Sequence, residues 1–147
     1  MLKIVLLLLG LFTHYSLQAW GVGEYLHEVD DSIVRWLKDP KTLSKKQIFE
    51  MVADYLETLQ DFIEKIDLRR KTAIEPGQTL LKRTQPRYLE EPFKEDILKS
   101  EFNWRQIDID DFKRLLKETE LLWQDFEKSY GDLQKYLQNE QESVSSE

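Results

Sequence analysis

The chain contains no cysteine in its 147 residues. Neither a disulfide framework nor a thiolate metal site is therefore available, and the small stapled toxin, growth-factor and inhibitor scaffolds are excluded. A domain of this size without staples must hold itself together by core packing. Glycine and proline are scarce, at 5 and 4, and no glycine-rich phosphate loop or Gly-x-Ser-x-Gly elbow surrounds any serine. Histidine is scarcer still, at 2. His14 lies in the apolar amino-terminal stretch, which leaves His27 alone. A Ser-His-Asp triad would have to use His27, and Ser32, Ser44, Ser100 and Ser129 all fall in or at helical patterns. Glu24 and His27 have the Glu-x-x-His spacing of di-iron bundles, but those proteins need the motif twice. Asp108, Asp110 and Asp111 resemble the start of a calcium loop, yet Lys113 stands where that loop needs glycine, and a helix start fits them better. The sequence thus offers no catalytic residue, cofactor or metal site, and the chain reads as non-enzymatic. Asn103 and Asn139 precede Trp-Arg and Glu-Gln, so no N-glycosylation sequon is present.

Long apolar runs are equally rare. The one at the start, Ile4 to Phe12, follows Lys3 and precedes the more polar Thr13 to Gln18. That layout predicts a signal peptide over residues 1–21, cleaved after Ala19 or after Gly21. Ala19 and Gly21 make the better small-residue pair, because Leu17 is large for the first alternative. The run is too short to span a bilayer as a helix, and no later segment predicts a stable membrane anchor. The expected product is soluble and secreted, or held in the secretory lumen. Losing Lys3 moves the net charge from −7 to −8, and a chain this acidic makes nucleic acid an unfavourable partner.

What the chain does have is helical period. From Ser44 to Arg70 the apolar residues Ile48, Val52, Tyr55, Leu59, Phe62 and Ile66 alternate steps of four and three, with Phe49, Leu56 and Ile63 beside them. That face has the width of a core-facing helix. Ser44 and Gln47 form a capping box, and Leu43 with Ile48 a hydrophobic staple. Before it, Leu26, Val29, Ile33, Trp36 and Leu37 predict a first helix over Gly23 to Lys38, ended by Asp39-Pro40. The short link to the second helix favours an antiparallel pair. A last helix opens at Asp108 as its cap and carries Ile109, Phe112, Leu116, Thr119, Trp123, Phe126, Tyr130, Leu133 and Leu137 on one row. Gly131 weakens it, and residues 138–147 read as a disordered polar tail.

Between the long helices, Pro76-Gly77 signals a turn, and Pro86 and Pro92 punctuate the rest of the connection. This segment is expected to drape over the helices as an irregular crossover. Pro92 suits the start of a short helix whose buried side would be Phe93, Ile97, Leu98 and Phe102. The predicted fold is all-α: an elongated three- to four-helix bundle, a single domain over 22–137, with two long heptad-patterned helices. No stretch reads as a strand.

Charge is distributed unevenly over this frame. Glu50, Asp54, Glu57, Asp61 and Glu64 recur at helical spacing on the outer side of the second helix. Like charges at these steps repel by about 0.2–0.5 kcal/mol per pair, so the ridge works against folding. Arg69, Arg70, Lys71, Lys82, Arg83 and Arg87 face only Glu75 in the crossover region. Both sets are candidate partner-binding residues for another protein or for a second copy of the chain. The alternatives are that they neutralise each other, or that the ridge is simply solvated. A surplus of aromatics near the crossover, Trp36, Tyr88, Phe102 and Trp104, permits a second function: a carrier of a small apolar ligand between the helices. Core filling under a long connection explains the same residues. The dibasic pairs Arg69-Arg70 and Lys82-Arg83 also permit processing of a precursor.

The run Phe112-Lys113-Arg114-Leu115-Leu116-Lys117, with Trp123 beyond it, resembles the helical amino-terminal region of collagen prolyl 4-hydroxylase α subunits. In that family the region follows a signal peptide and supports dimerisation, and the resemblance implies paired long helices and self-association. It is confined to this short stretch, its spacing departs from the family's, and no catalytic region accompanies it.

Overall fold

The computed structural model describes residues 21–145. The expected signal peptide lies outside the described residues apart from Gly21. Five α-helices and no strand make up the described chain: α1 Val22–Lys38, α2 Lys45–Asp67, α3 Ile74–Leu80, α4 Glu95–Phe102 and α5 Gln106–Ser145. No helix among them is long and apolar enough to cross a membrane.

Each boundary has a local cause. Asp39 leaves the helical region ahead of Pro40, and its side chain accepts from the Lys41 N–H. Ser44 and Gln47 exchange the two bonds of the capping box, at 3.1 and 2.9 Å. α2 stops three residues short of the expected Arg70 because Arg69 turns left-handed, at φ 59. The Arg69 N–H then reaches the Ile66 carbonyl and the Arg70 N–H reaches that of Lys65. This is a Schellman ending built on a residue that is not glycine. The Arg69 guanidinium lies 4.1 Å from the centre of the Tyr136 ring, and that cation–π contact offsets part of the left-handed cost.

Several expectations are corrected. Pro76-Gly77 is not a turn but lies inside α3. Pro76 is the third residue of that helix, where a missing N–H costs nothing. Asp108 is not the cap of the last helix. It sits in the first turn and reaches back to the Arg105 N–H at 2.8 Å, so α5 begins at Gln106. Ile97 does not line the buried side of α4. It is exposed, while Leu98 is buried. α5 also runs unbroken through Gly131 to Ser145, 40 residues, or about 60 Å at 1.5 Å per residue. It thus passes well beyond residue 138.

The arrangement follows from the ring contacts. Phe49 meets Phe112, and Phe62 meets Phe126, at 5.6 and 5.9 Å between centroids. The long helices α2 and α5 therefore run parallel. α1 is antiparallel to both: its Trp36 joins the cluster of Phe49, Trp104 and Phe112, while Tyr25 bonds Asp54 further along α2.

Parallel neighbours force the connection between them to travel back along the molecule. The crossover does so, and it is not draped over the helices. Leu80, Tyr88, Leu98 and Trp104 are as buried as the heptad rows, and α3 and the Arg87–Leu89 turn lie against α1. Tyr88 stands in the middle, edge-on to Tyr55 at 5.4 Å. Its hydroxyl pairs with that of Thr119 at 2.7 Å, and the Thr119 hydroxyl also reaches the Leu115 carbonyl at 2.8 Å. The one polar residue in the α5 row is thus the partner of the crossover tyrosine.

Candidate functional site

The outer side of α2 carries the acidic ridge. Glu50, Glu57, Asp61 and Glu64 are exposed, whereas Asp54 is half-buried because it accepts the Tyr25 hydroxyl. Asp54 is therefore a link between α1 and α2. Among the described residues, the one ion pair made by the ridge is Lys46 to Glu50 at 3.9 Å, with both groups largely solvated and worth little to stability. Among the same residues no ion pair joins the ridge to the basic residues of the crossover.

The basic residues divide. Arg83 does not belong to a free docking surface. It is three-quarters or more enclosed, and its Nη1 lies 2.8 Å from Asp30 and 3.0 Å from Asp31. Burial works against its charge, but the hydrogen bonds to Asp31 and Asp30 outweigh that and raise its pKa. Arg87 gives its backbone N–H to Asp30 at 2.8 Å while its side chain stays exposed. Arg69 is held over Tyr136. Arg70, Lys71, Lys82 and Arg87 are exposed and enter no ion pair among the described residues. The enclosure of Arg83 also makes Lys82-Arg83 a poor cleavage point in the folded chain, because a protease needs the segment extended and accessible.

Asp30 is the residue that the sequence reading missed. It is 1% exposed and accepts three bonds, from the Arg83 guanidinium and from the Arg87 and Tyr88 N–H groups. Beside it, His27 Nε2 lies 2.7 Å from the Thr79 carbonyl, so that nitrogen carries the proton. The signal was present: an aspartate on the apolar side of a helix, one position after Val29, needs a buried partner.

The aromatics that suggested a carrier are packed on one another. Trp36, Phe49, Phe93, Trp104 and Phe112 form one cluster with centroids 5.1–5.9 Å apart. Phe102 is half-buried against the core. Among the described residues no group of three His, Cys, Asp or Glu side chains is placed to hold a metal ion. The chemistry on offer is that of a surface: an acidic helix face with exposed Leu68 at its end, and a separate basic set around the start of the crossover. No protein-family model matches this chain, and neither a curated protein nor a solved structure matches it.

Proposed function

We propose that this protein is a secreted, non-enzymatic interaction module that docks a basic protein surface on the outer face of α2. The observation that carries the reading is the state of Glu50, Glu57, Asp61 and Glu64. They stand exposed in a row, with Lys46 alone as an ionic neighbour among the described residues. Repulsion along such a row opposes folding, and the fold itself draws only Asp54 into its packing. A basic partner would relieve that repulsion and would be steered to the ridge from a distance. Leu68, two-thirds exposed where the ridge ends, supplies an apolar contact beside the charges.

A second copy of the chain is the other reading, favoured by Arg70, Lys71, Lys82 and Arg87, which are exposed and without ionic partners among the described residues. In that reading the ridge of one copy would meet the basic set of the next, head to tail. One variant separates the two. Glu57, Asp61 and Glu64 changed together to lysine should abolish capture of the partner by a photo-cross-linker placed at Ala53, with the helical signal unchanged. Sedimentation of the wild-type protein at low and high salt then tells a foreign partner from a second copy. An unchanged set of captured partners and an unchanged oligomeric state would reduce the ridge to solvated surface.

A further inference from the structure

Basic residues stand side by side at Lys45-Lys46, Arg69-Arg70, Lys82-Arg83 and Lys113-Arg114. An endopeptidase needs such a pair in accessible chain that can be drawn out straight. Lys45-Lys46 stands in the first turn of α2 and Lys113-Arg114 inside α5, both in helical backbone. Lys82-Arg83 is held by the enclosed guanidinium of Arg83 on Asp30 and Asp31. Of these pairs, Arg69-Arg70 alone is both exposed and outside an α-helix. Residues 67–72 are exposed without a break, and before the end of α5 no other run among the described residues is as long.

The backbone of this turn is strained and lightly held. Arg69 is left-handed, at φ 59, a conformation that crowds the Cβ of any residue but glycine. Arg70 is already extended, at φ −78 and ψ 123, and its N–H reaches the Lys65 carbonyl only at 3.5 Å. Opening the turn releases the strain at Arg69 and breaks the contact of its guanidinium with the Tyr136 ring. We infer that the Arg70–Lys71 bond is a processing site for an endopeptidase that selects paired basic residues, and that the product is a two-chain bundle. Arg69 and Arg70 supply the two cations that acidic subsites of such an enzyme take. As the amide breaks, water adds its hydroxyl to the Arg70 carbonyl carbon and a hydrogen to the Lys71 nitrogen. One piece holds α1 and α2, the other the crossover and α5. The contacts that join them lie away from the cut: Phe62 on Phe126, Tyr55 on Tyr88, Asp30 on Arg83 and Lys45 on Asp108. The two chains therefore stay together without a disulfide. The inference rests on the secretory reading for the enzyme that the chain meets, whereas purified protein tests the site itself.

A kexin-type endopeptidase, added briefly to the folded protein, should give one fragment ending at Arg70 and one beginning at Lys71, by intact mass. The fragments should co-elute on gel filtration at the size of the uncut protein and part only in denaturant. Arg70→Gln should slow the cut by at least about tenfold. Tyr136→Leu keeps an apolar side chain at that position but frees Arg69, and should speed the cut roughly two- to fivefold. Simple exposure of a basic pair would not respond to that change. A first cut at another pair, fragments that separate without denaturant, or equal rates for Tyr136→Leu and wild type overturn the inference. Protein collected from secreting cells should carry the same two chains, and a secreted chain intact at Arg70 also overturns it. A chain that is not secreted sinks the secretory reading instead, and the cut on purified protein still decides the site.

Discussion

The carboxylate of Asp30, within α1, accepts the backbone N–H of Tyr88 at 2.9 Å across 58 residues of chain. The same group takes the Arg87 N–H and the Arg83 guanidinium, both at 2.8 Å. One buried side chain thus fixes the middle of the crossover to the first helix.

Asp30→Ala should therefore be among the most damaging single changes in the chain. It leaves two backbone N–H groups without acceptors and takes from Arg83 its most buried partner. Breaking a buried pair in this way costs about 3–5 kcal/mol. Asp30→Asn keeps one acceptor oxygen and should cost clearly less. Urea unfolding of both variants checks the order, and equal losses would mean that charge, not hydrogen bonding, holds the crossover.

Tyr88 should behave as a core residue. It is 1% exposed and Phe62 is 3% exposed, so Tyr88→Ala and Phe62→Ala should each cost about 3–5 kcal/mol through lost burial and the cavity left behind. Tyr88→Phe should cost about 1 kcal/mol, the net value of its bond to Thr119. A Tyr88→Ala variant as stable as wild type in chemical denaturation would show that the crossover only covers the helices.

Two glycines should respond to alanine with opposite signs. A Cβ on Gly77 would stand 2.3 Å from the Tyr130 ring, whose hydroxyl is fixed to the Ile74 carbonyl at 3.0 Å. Gly77→Ala must push helix and ring apart, at a cost of about 1–3 kcal/mol. A Cβ on Gly131 meets nothing within 4 Å, in the interior of α5. Gly131→Ala should stabilise by about 0.5–1 kcal/mol. Thermal melts of the two variants should move in opposite directions.

Asp108 should set part of the acid sensitivity. Hydrogen bonds from the Arg105 side chain and N–H, and then from Lys45, hold its carboxyl well below the usual carboxylate range. Its folded-state value is lowered, so its contribution is complete above its unfolded value of about 3.9. That contribution shrinks as pH falls from there through the folded value. Asp108→Asn should melt below wild type at neutral pH, with the gap narrowing as pH drops below about 4. A gap independent of pH would assign the effect to packing.

The long helices were legible because their causes are local. Ser44 and Gln47 announce the start of α2, the steps of four and three give its buried face, and Asp39-Pro40 ends α1. The crossover was not legible, because its order comes from elsewhere in the chain. Nothing near Tyr88 in sequence reveals Asp30 or Thr119, which hold its two polar ends. The error over Pro76-Gly77 has the same origin: the pair reads as a turn locally, but Gly77 is required where Tyr130 crosses α3. Of the candidate site, the exposed row Glu50, Glu57, Asp61 and Glu64 could be read from the helical spacing, but the bond of Asp54 to Tyr25 could not. The basic set could not, because the role of Arg83 depends on a distant buried aspartate.

The parallel course of α2 and α5 has a consequence for how the chain comes together. Lys45 reaches Asp108 across 63 residues, and the facing rings of the two helices are as far apart along the chain. α1 and α2 can pair early through a short link, but the face they share with α5 stays open until nearly the whole chain has been made. Loop closure over such distances slows assembly. During synthesis the newly formed hairpin thus presents Phe49, Phe62 and Trp36 to its surroundings, and it is in this window that the protein is most exposed to aggregation and to capture by chaperones.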